Sequence, residues 1–120
     1  MSERGTTRSV LVVEDDFHVA DWLALELEAH GFDVLGPVAT VRAALDVVAK
    51  AERIDGAILD INLRGEMAYP VADALRERSV PFVFTTGYDA SSVARYAPDA
   101  VCFEKPALTT HLIRALFGDT

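Results

Sequence analysis

The sequence predicts an α/β fold, a doubly wound five-stranded parallel sheet with helices on both faces. Three observations predict it. Short, unbroken apolar runs alternate with amphipathic segments along the whole chain. The runs lack the alternation of a half-exposed strand, so their strands are buried on both faces, as in parallel sheets. Five strand–helix pairs follow one another, and right-handed crossovers wind such a chain in two layers around one sheet.

Each element has its own warrant. Residues 9–13, SVLVV, form the first strand. Residues 17–31 form a helix, with Val19, Trp22, Leu23 and Leu27 as its packing stripe, Asp16 as N-cap and Gly31 as C-terminal stop. Residues 32–39 form a second strand; Gly36 and Pro37 disturb it and place it at an edge. Thr40 caps a helix over 40–52 that turns Val41, Leu45 and Val48 inward. The third strand is 56–61, followed by a loop, NLRGEMAY, and a helix over 70–78 that opens on Pro70. The fourth strand is 80–86, a short helix covers 90–97, the fifth strand is 100–104, and an amphipathic helix over 107–118 closes the chain. The stretches ERIDG and LRERS read as solvated helix ends.

Composition narrows the function classes. A chain of 120 residues, 51% apolar, supports one core. A net charge of −8 with no basic cluster opposes binding to nucleic acid or to an anionic membrane. The polar start MSERGTTRS shows no secretory signal, and no apolar run approaches the roughly 20 residues of a membrane helix. The single cysteine, Cys102, reads as a small packed residue and excludes an internal disulfide. These features predict a cytoplasmic protein. His18, His30 and His111 share no ligand spacing, so no zinc site is predicted.

Chemistry collects at the strand ends. The first strand ends in Glu14 and Asp15, the third in Asp60, the fourth in Thr85 and Thr86, and the fifth runs into Lys105. In a doubly wound sheet these ends share one rim, where ligands bind. Three carboxylates in one crevice repel by on the order of several kcal/mol unless a cation joins them. Hard oxygen donors beside a phosphate suit Mg²⁺. Carboxylate, hydroxyl and ammonium together suit phosphoryl transfer, with an aspartate able to act as nucleophile. Asp16 reads as the helix cap rather than a further ligand. Strand alternation aims Thr85 and Thr86 oppositely, so one of them faces the site.

The motifs VVEDD, ILDINL, FTTGY and FEKP, each at the end of its own strand, resemble those of a response-regulator receiver domain. The resemblance runs from about residue 9 to the end, with 1–8 as a flexible arm and 9–120 as the receiver domain. It implies a flavodoxin-like (βα)5 fold with strand order 2-1-3-4-5. It implies Asp60 as phosphoacceptor, and Mg²⁺ held by Glu14, Asp15, Asp60 and the Asn62 backbone carbonyl. Thr86 would be the switch hydroxyl, Lys105 a phosphoryl ligand, and Gly87 and Asn62 would lie against the phosphate. It also implies a cis bond between Lys105 and Pro106. The implied donor is a sensor histidine kinase or a histidine phosphotransfer protein. The implied output is contact with a further protein, by a monomer or weak dimer that is a switch rather than a turnover enzyme.

The sequence departs from the receiver pattern in two places. Arg64 and Gly65 stand where receivers carry proline after the phosphorylated aspartate, and Cys102 stands at the usual aromatic switch. PFVFTTGYD is similar to the FAT GUY group of receivers, in which Tyr88 takes on interest, either shielding the acyl phosphate or replacing the aromatic switch, as against a plain loop tyrosine. Two other functions use the same residues: an aspartate-nucleophile phosphohydrolase, and a pseudo-receiver that binds partners constitutively. The first expects an acid two residues past Asp60, where Asn62 stands.

Overall fold

The structure is a computed structural model and describes residues 7–87 and 100–118. The helix predicted over 90–97, Tyr88 and most of the N-terminal arm lie outside the described residues.

The elements run β1 (Ser9–Val13), α1 (Phe17–Ala29), β2 (Asp33–Val38), α2 (Val41–Lys50), β3 (Gly56–Asp60), β4 (Asn62–Leu63), β5 (Glu66–Met67), α3 (Tyr69–Glu77), β6 (Phe82–Thr86), β7 (Cys102–Glu104) and α4 (Thr109–Phe117). Five strands form a parallel sheet in the order β2-β1-β3-β6-β7. With the small β4–β5 hairpin set aside, this is the predicted order.

Both faces of the sheet are buried, because each strand sends successive side chains to opposite sides. Val10, Val12, Ile58 and Val83 pack against Leu23 and Leu27 of α1 and Leu112 and Leu116 of α4. Leu11, Val13, Leu59 and Phe84 pack on the other side, against Val41, Ala44 and Val48 of α2 and Val71, Ala72 and Leu75 of α3. Phe84 is wholly buried and meets Tyr69 edge-on, ring centres 5.8 Å apart. Burying a side chain of that size stabilises by about 1.5–3 kcal/mol. Cys102 is partly buried against this second core, as a small packed residue.

Local signals set the boundaries. Asp16 accepts from the backbone N–H groups of His18 and Val19 and starts α1. Gly31, at φ +91°, turns the chain out of it, and the Phe32 N–H bonds back to the Leu27 carbonyl. Thr40 caps α2 through the Ala43 N–H. β2 lies at the sheet edge, where a register shift between Leu11 and Val13 absorbs Gly36 and Pro37. The Gly36–Pro37 bond is cis, as is the predicted Lys105–Pro106.

Three expectations are corrected. The loop after β3 is a hairpin: Asn62 pairs with Met67 and Leu63 with Glu66 around a two-residue turn. Arg64 and Gly65 make that turn at φ +56° and +93°, the double left-handed geometry that matches strand twist. Trp22 is 49% exposed rather than packed, because α1 buries Ala20, Leu23 and Leu27. In α2, Val41 and Val48 are buried as expected, Leu45 is partly buried against the same core, and Ala44 joins them fully buried. The helix ends at ERIDG and LRERS also make specific bonds: Asp55 accepts from the Ser9 N–H at 2.7 Å, and the Arg78 guanidinium donates to the carbonyls of Val48 (2.6 Å), Ala51 (3.0 Å) and Glu52 (3.3 Å). That guanidinium satisfies the open C-terminus of α2 from the end of α3.

Candidate functional site

The carboxyl ends of β1, β3, β6 and β7 meet at one rim. Glu14 leaves β1 with its N–H bonded to the Val38 carbonyl at 2.9 Å, which fixes it beside β2. Its side chain is almost fully buried and uses both oxygens. One accepts from Lys105 Nζ at 2.8 Å, the other from the Asp16 N–H at 3.0 Å. Asp60 ends β3, buried, and accepts from Lys105 Nζ at 3.0 Å and from the Asn62 N–H at 3.2 Å. Lys105 is held in turn, its N–H donating to the Thr86 carbonyl at 2.7 Å. One ammonium therefore joins two buried carboxylates from different strands.

Asp15 sits at the outer side of this pair. Among the described residues, Glu14, Asp15 and Asp60 form a group in which one carboxylate oxygen from each lies within 4.8 Å of the other two. Hard oxygen donors at that separation fit a small divalent cation. Asn62 follows next in the chain, beside this group. The Ala68 N–H bonds to the Ile61 carbonyl, so in the antiparallel ladder the neighbouring residue Asn62 turns its N–H and carbonyl away from β5, toward Asp60. The Asn62 side chain is committed elsewhere, accepting from the Gly65 N–H at 2.6 Å inside the hairpin. An amide at this position carries no titratable proton.

The electrostatics follow from burial and crowding. Asp60 is pushed up from 3.8 to about 7, first by burial and then by the Glu14 charge, with Lys105 opposing both. Burial alone favours a neutral Lys105, yet its hydrogen bonds to Glu14 and Asp60 and their charges win and raise it. Lys105 is thus a fixed cation, and Asp60 is a carboxyl whose ionisation falls near neutrality. Burial, followed by the Glu104 charge, raises the Cys102 thiol and keeps it protonated.

Thr85 and Thr86 are both buried at the end of β6. Val83 belongs to the α1–α4 core and Phe84 to the α2–α3 core, so alternation puts Thr85 on the first face and Thr86 on the second. Thr85 pairs with Asp60 across the strands. It also lines a cavity of about 280 Å³ between α1 and the β7–α4 connection, with Glu14, His18, Trp22, Lys105 and Pro106. Thr86 is anchored at the rim through its carbonyl, and the exposed Gly87 follows it. The residues brought together are Glu14, Asp15, Asp60, Asn62 and Lys105, with Thr86 and Gly87 alongside. Asp16 is a cap, not a ligand.

Sequence reasoning missed one neighbour of the site. Arg64 Nε lies 3.6 Å from Asp15 Oδ2, reaching in from the hairpin tip. The signal was present as the Arg64–Gly65 pair in place of proline, but its consequence depended on the turn.

The comparisons agree with this geometry. The family model for the response regulator receiver domain matches residues 10–116. The transcriptional regulatory protein YvrH of Bacillus subtilis (strain 168) is 30% identical over 95 residues, covering 77% of this chain and 40% of YvrH. This chain therefore corresponds to less than half of that relative. The solution structure of SdrG from Sphingomonas melonis Fr1 is 39% identical with a TM-score of 0.80, and covers 98% of each chain. A response regulator from Burkholderia pseudomallei, solved with a phosphorylated aspartic acid, calcium ion and citrate, is 25% identical with a TM-score of 0.75. The match covers 91% of this chain and 66% of that one. No helix among the described residues is long and apolar enough to cross a membrane.

Proposed function

This chain belongs to the response regulator receiver domain family, and from that premise we propose that it is a phosphorylation-operated switch with Asp60 as phosphoacceptor and Mg²⁺ as its cation. The observation that carries the reading is the buried Asp60 carboxylate, 3.0 Å from Lys105 and grouped with Glu14 and Asp15. The Burkholderia relative, solved with a phosphorylated aspartic acid and a calcium ion, supports it.

In the proposed step, an Asp60 oxygen attacks the phosphorus of a phosphohistidine on a sensor kinase or phosphotransfer protein. The P–O bond forms as the P–N bond breaks, and the imidazole leaves. Mg²⁺, when held by Glu14, Asp15, Asp60 and the Asn62 carbonyl, supplies neutralising charge to the phosphoryl oxygens. Lys105 transfers one of its hydrogen bonds to a phosphoryl oxygen, a short move for an ammonium already on Asp60. Thr86 brings its hydroxyl over the strand end to a second oxygen, and the Gly87 N–H meets a third. Water later attacks the phosphorus and restores Asp60.

The output is contact with another protein. Added charge at Asp60 draws in Thr86 and Lys105, and both are joined to β7 through the Thr86–Lys105 backbone bond.

The test is incubation with acetyl phosphate and Mg²⁺, followed by intact-mass measurement of wild type and Asp60→Asn. One added phosphoryl group on the wild type alone is the expected result. Addition to both proteins, or to neither, overturns the assignment of Asp60. Multiple turnovers of a generic phosphate ester overturn the switch in favour of a hydrolase.

A further inference from the structure

We propose that Arg64 is a built-in competitor of the divalent cation, occupying Asp15 until the metal displaces it. The inference rests on the reading of the acidic group as the receiver's cation site.

The argument starts from charge. Three carboxylates share the rim, and Lys105 pairs with only two of them, Glu14 and Asp60. Asp15 is left to a different partner, and that partner is Arg64, whose Nε lies 3.6 Å from Oδ2. The side chain of Asp15 is only 18% exposed, so its charge is partly desolvated and gains from a counter-ion.

The placement of Arg64 is set by backbone rather than by chance. The Asn62 side chain ties the turn to itself through the Gly65 N–H at 2.6 Å. Arg64 and Gly65 both take positive φ and form the two-residue turn between β4 and β5. Positive φ disfavours a side chain such as arginine, so the position carries a backbone cost that a glycine or asparagine would avoid. The guanidinium that results is 81% exposed, tethered at its Cα and free at its end. Such a group is displaced easily.

Asp15 and Asp60 would both hold the cation, and Asp15 is the carboxylate that Arg64 faces. Arg64 and the cation would then compete for one carboxylate, where two positive charges at contact distance repel. Metal entry therefore releases Arg64 from Asp15 and frees the hairpin tip. Arg64 is a positioning residue: it sets the concentration at which the cation site fills and carries metal occupancy out to the surface hairpin.

The experiment is a Mg²⁺ titration of the full chain without phosphodonor, comparing wild type with Arg64→Gln. Binding is followed by the fluorescence of Trp22, the single tryptophan, and by the Gly65 amide resonance in NMR. The expected result is about two- to five-fold tighter binding by Arg64→Gln, or about 0.4–1 kcal/mol at about 1.4 kcal/mol per tenfold, as suits an exposed pair. The gain shrinks in high salt. Lys50→Gln makes the same charge change at the opposite rim, from an ion pair with Asp46, and leaves the affinity unchanged. Equal or weaker binding by Arg64→Gln overturns the proposal. So does an equal gain from Lys50→Gln, which reduces the effect to net charge. If wild type gives no saturable Mg²⁺ response that Asp15→Asn abolishes, the cation site itself fails, a result distinct from an unchanged affinity in Arg64→Gln.

Discussion

Replacing Asp60 by asparagine stabilises the metal-free protein, and does so only above the acid range. The folded carboxyl ionises at about 7 against 3.8 for an ordinary aspartate. Below about pH 4 both folded and unfolded chains hold the proton, and Asp60 has no effect on stability. Between the two values the unfolded chain gives up the proton while the folded chain keeps it. Stability therefore falls as pH rises from about 4 to 7, then levels off. At about 1.4 kcal/mol per pH unit, the gap of about three units corresponds to at most about 4 kcal/mol. Solvent on the open side of the cleft screens this to on the order of 2 kcal/mol. Asparagine has the same shape and no charge, and its amide oxygen still accepts from Lys105. In EDTA, Asp60→Asn and wild type melt together near pH 4. Near pH 8 the variant melts on the order of 6–10 °C higher. Thermal unfolding by circular dichroism at both pH values measures the difference, in which other acids cancel. With the proposed cation site in place, adding Mg²⁺ narrows the gap, because an ion that binds only the folded wild type stabilises it. A pH-independent difference, or a variant less stable than wild type near pH 8, refutes the claim that burial and Glu14 strain the Asp60 charge.

Two further outcomes follow from the same geometry. Lys105→Ala leaves Glu14 and Asp60 buried without their shared cation and destabilises the metal-free protein by about 2–4 kcal/mol near pH 8, less near pH 5 where Asp60 is protonated; urea unfolding at the two pH values checks it, and a loss under about 0.5 kcal/mol at both contradicts it. Gly36→Ala places a Cβ 2.8 Å from the Val38 nitrogen and 3.1 Å from the Val12 carbonyl oxygen at φ +88°, so it costs at least about 2 kcal/mol and, at the proposed cation site, weakens Mg²⁺ binding through the Glu14–Val38 bond. Gly31→Ala, with open space at φ +91°, costs only about 1 kcal/mol, and equal losses for the two glycines would remove the steric argument.

The sheet was legible because its strands are unbroken runs such as GAILD and FVFTT, buried on both faces. The caps Asp16 and Thr40 were legible because short polar side chains before an apolar run have few other uses. Glu14, Asp15, Asp60 and Lys105 were legible as a group because parallel strands bring their carboxyl ends to one rim, whatever the side-chain details. The β4–β5 hairpin was not, since two-residue strands carry no period and Arg64 is not a usual residue for a positive-φ turn. The exposure of Trp22 was missed because 19, 22, 23 and 27 and 20, 23 and 27 are both fair helical stripes; only the seating of α1 on Val10 and Val12 selects the second. The Arg64–Asp15 pair depends on that hairpin and was hidden with it.

The Arg78 guanidinium, spread over the last carbonyls of α2, gives the domain a stator. Helices two and three are riveted to each other at the rim away from Asp60, and neither can slide without losing three bonds at once. On the other flank of the sheet, the chain just past the end of α1 meets the end of α4 through the stacked rings of Phe32 and Phe117, 5.5 Å apart, an apolar contact without directional bonds, and β7 is a three-residue edge strand. On the proposed switch, a displacement begun at Asp60 meets fewer directional bonds toward β7 and α4, and the α2–α3 side is the frame against which it is felt.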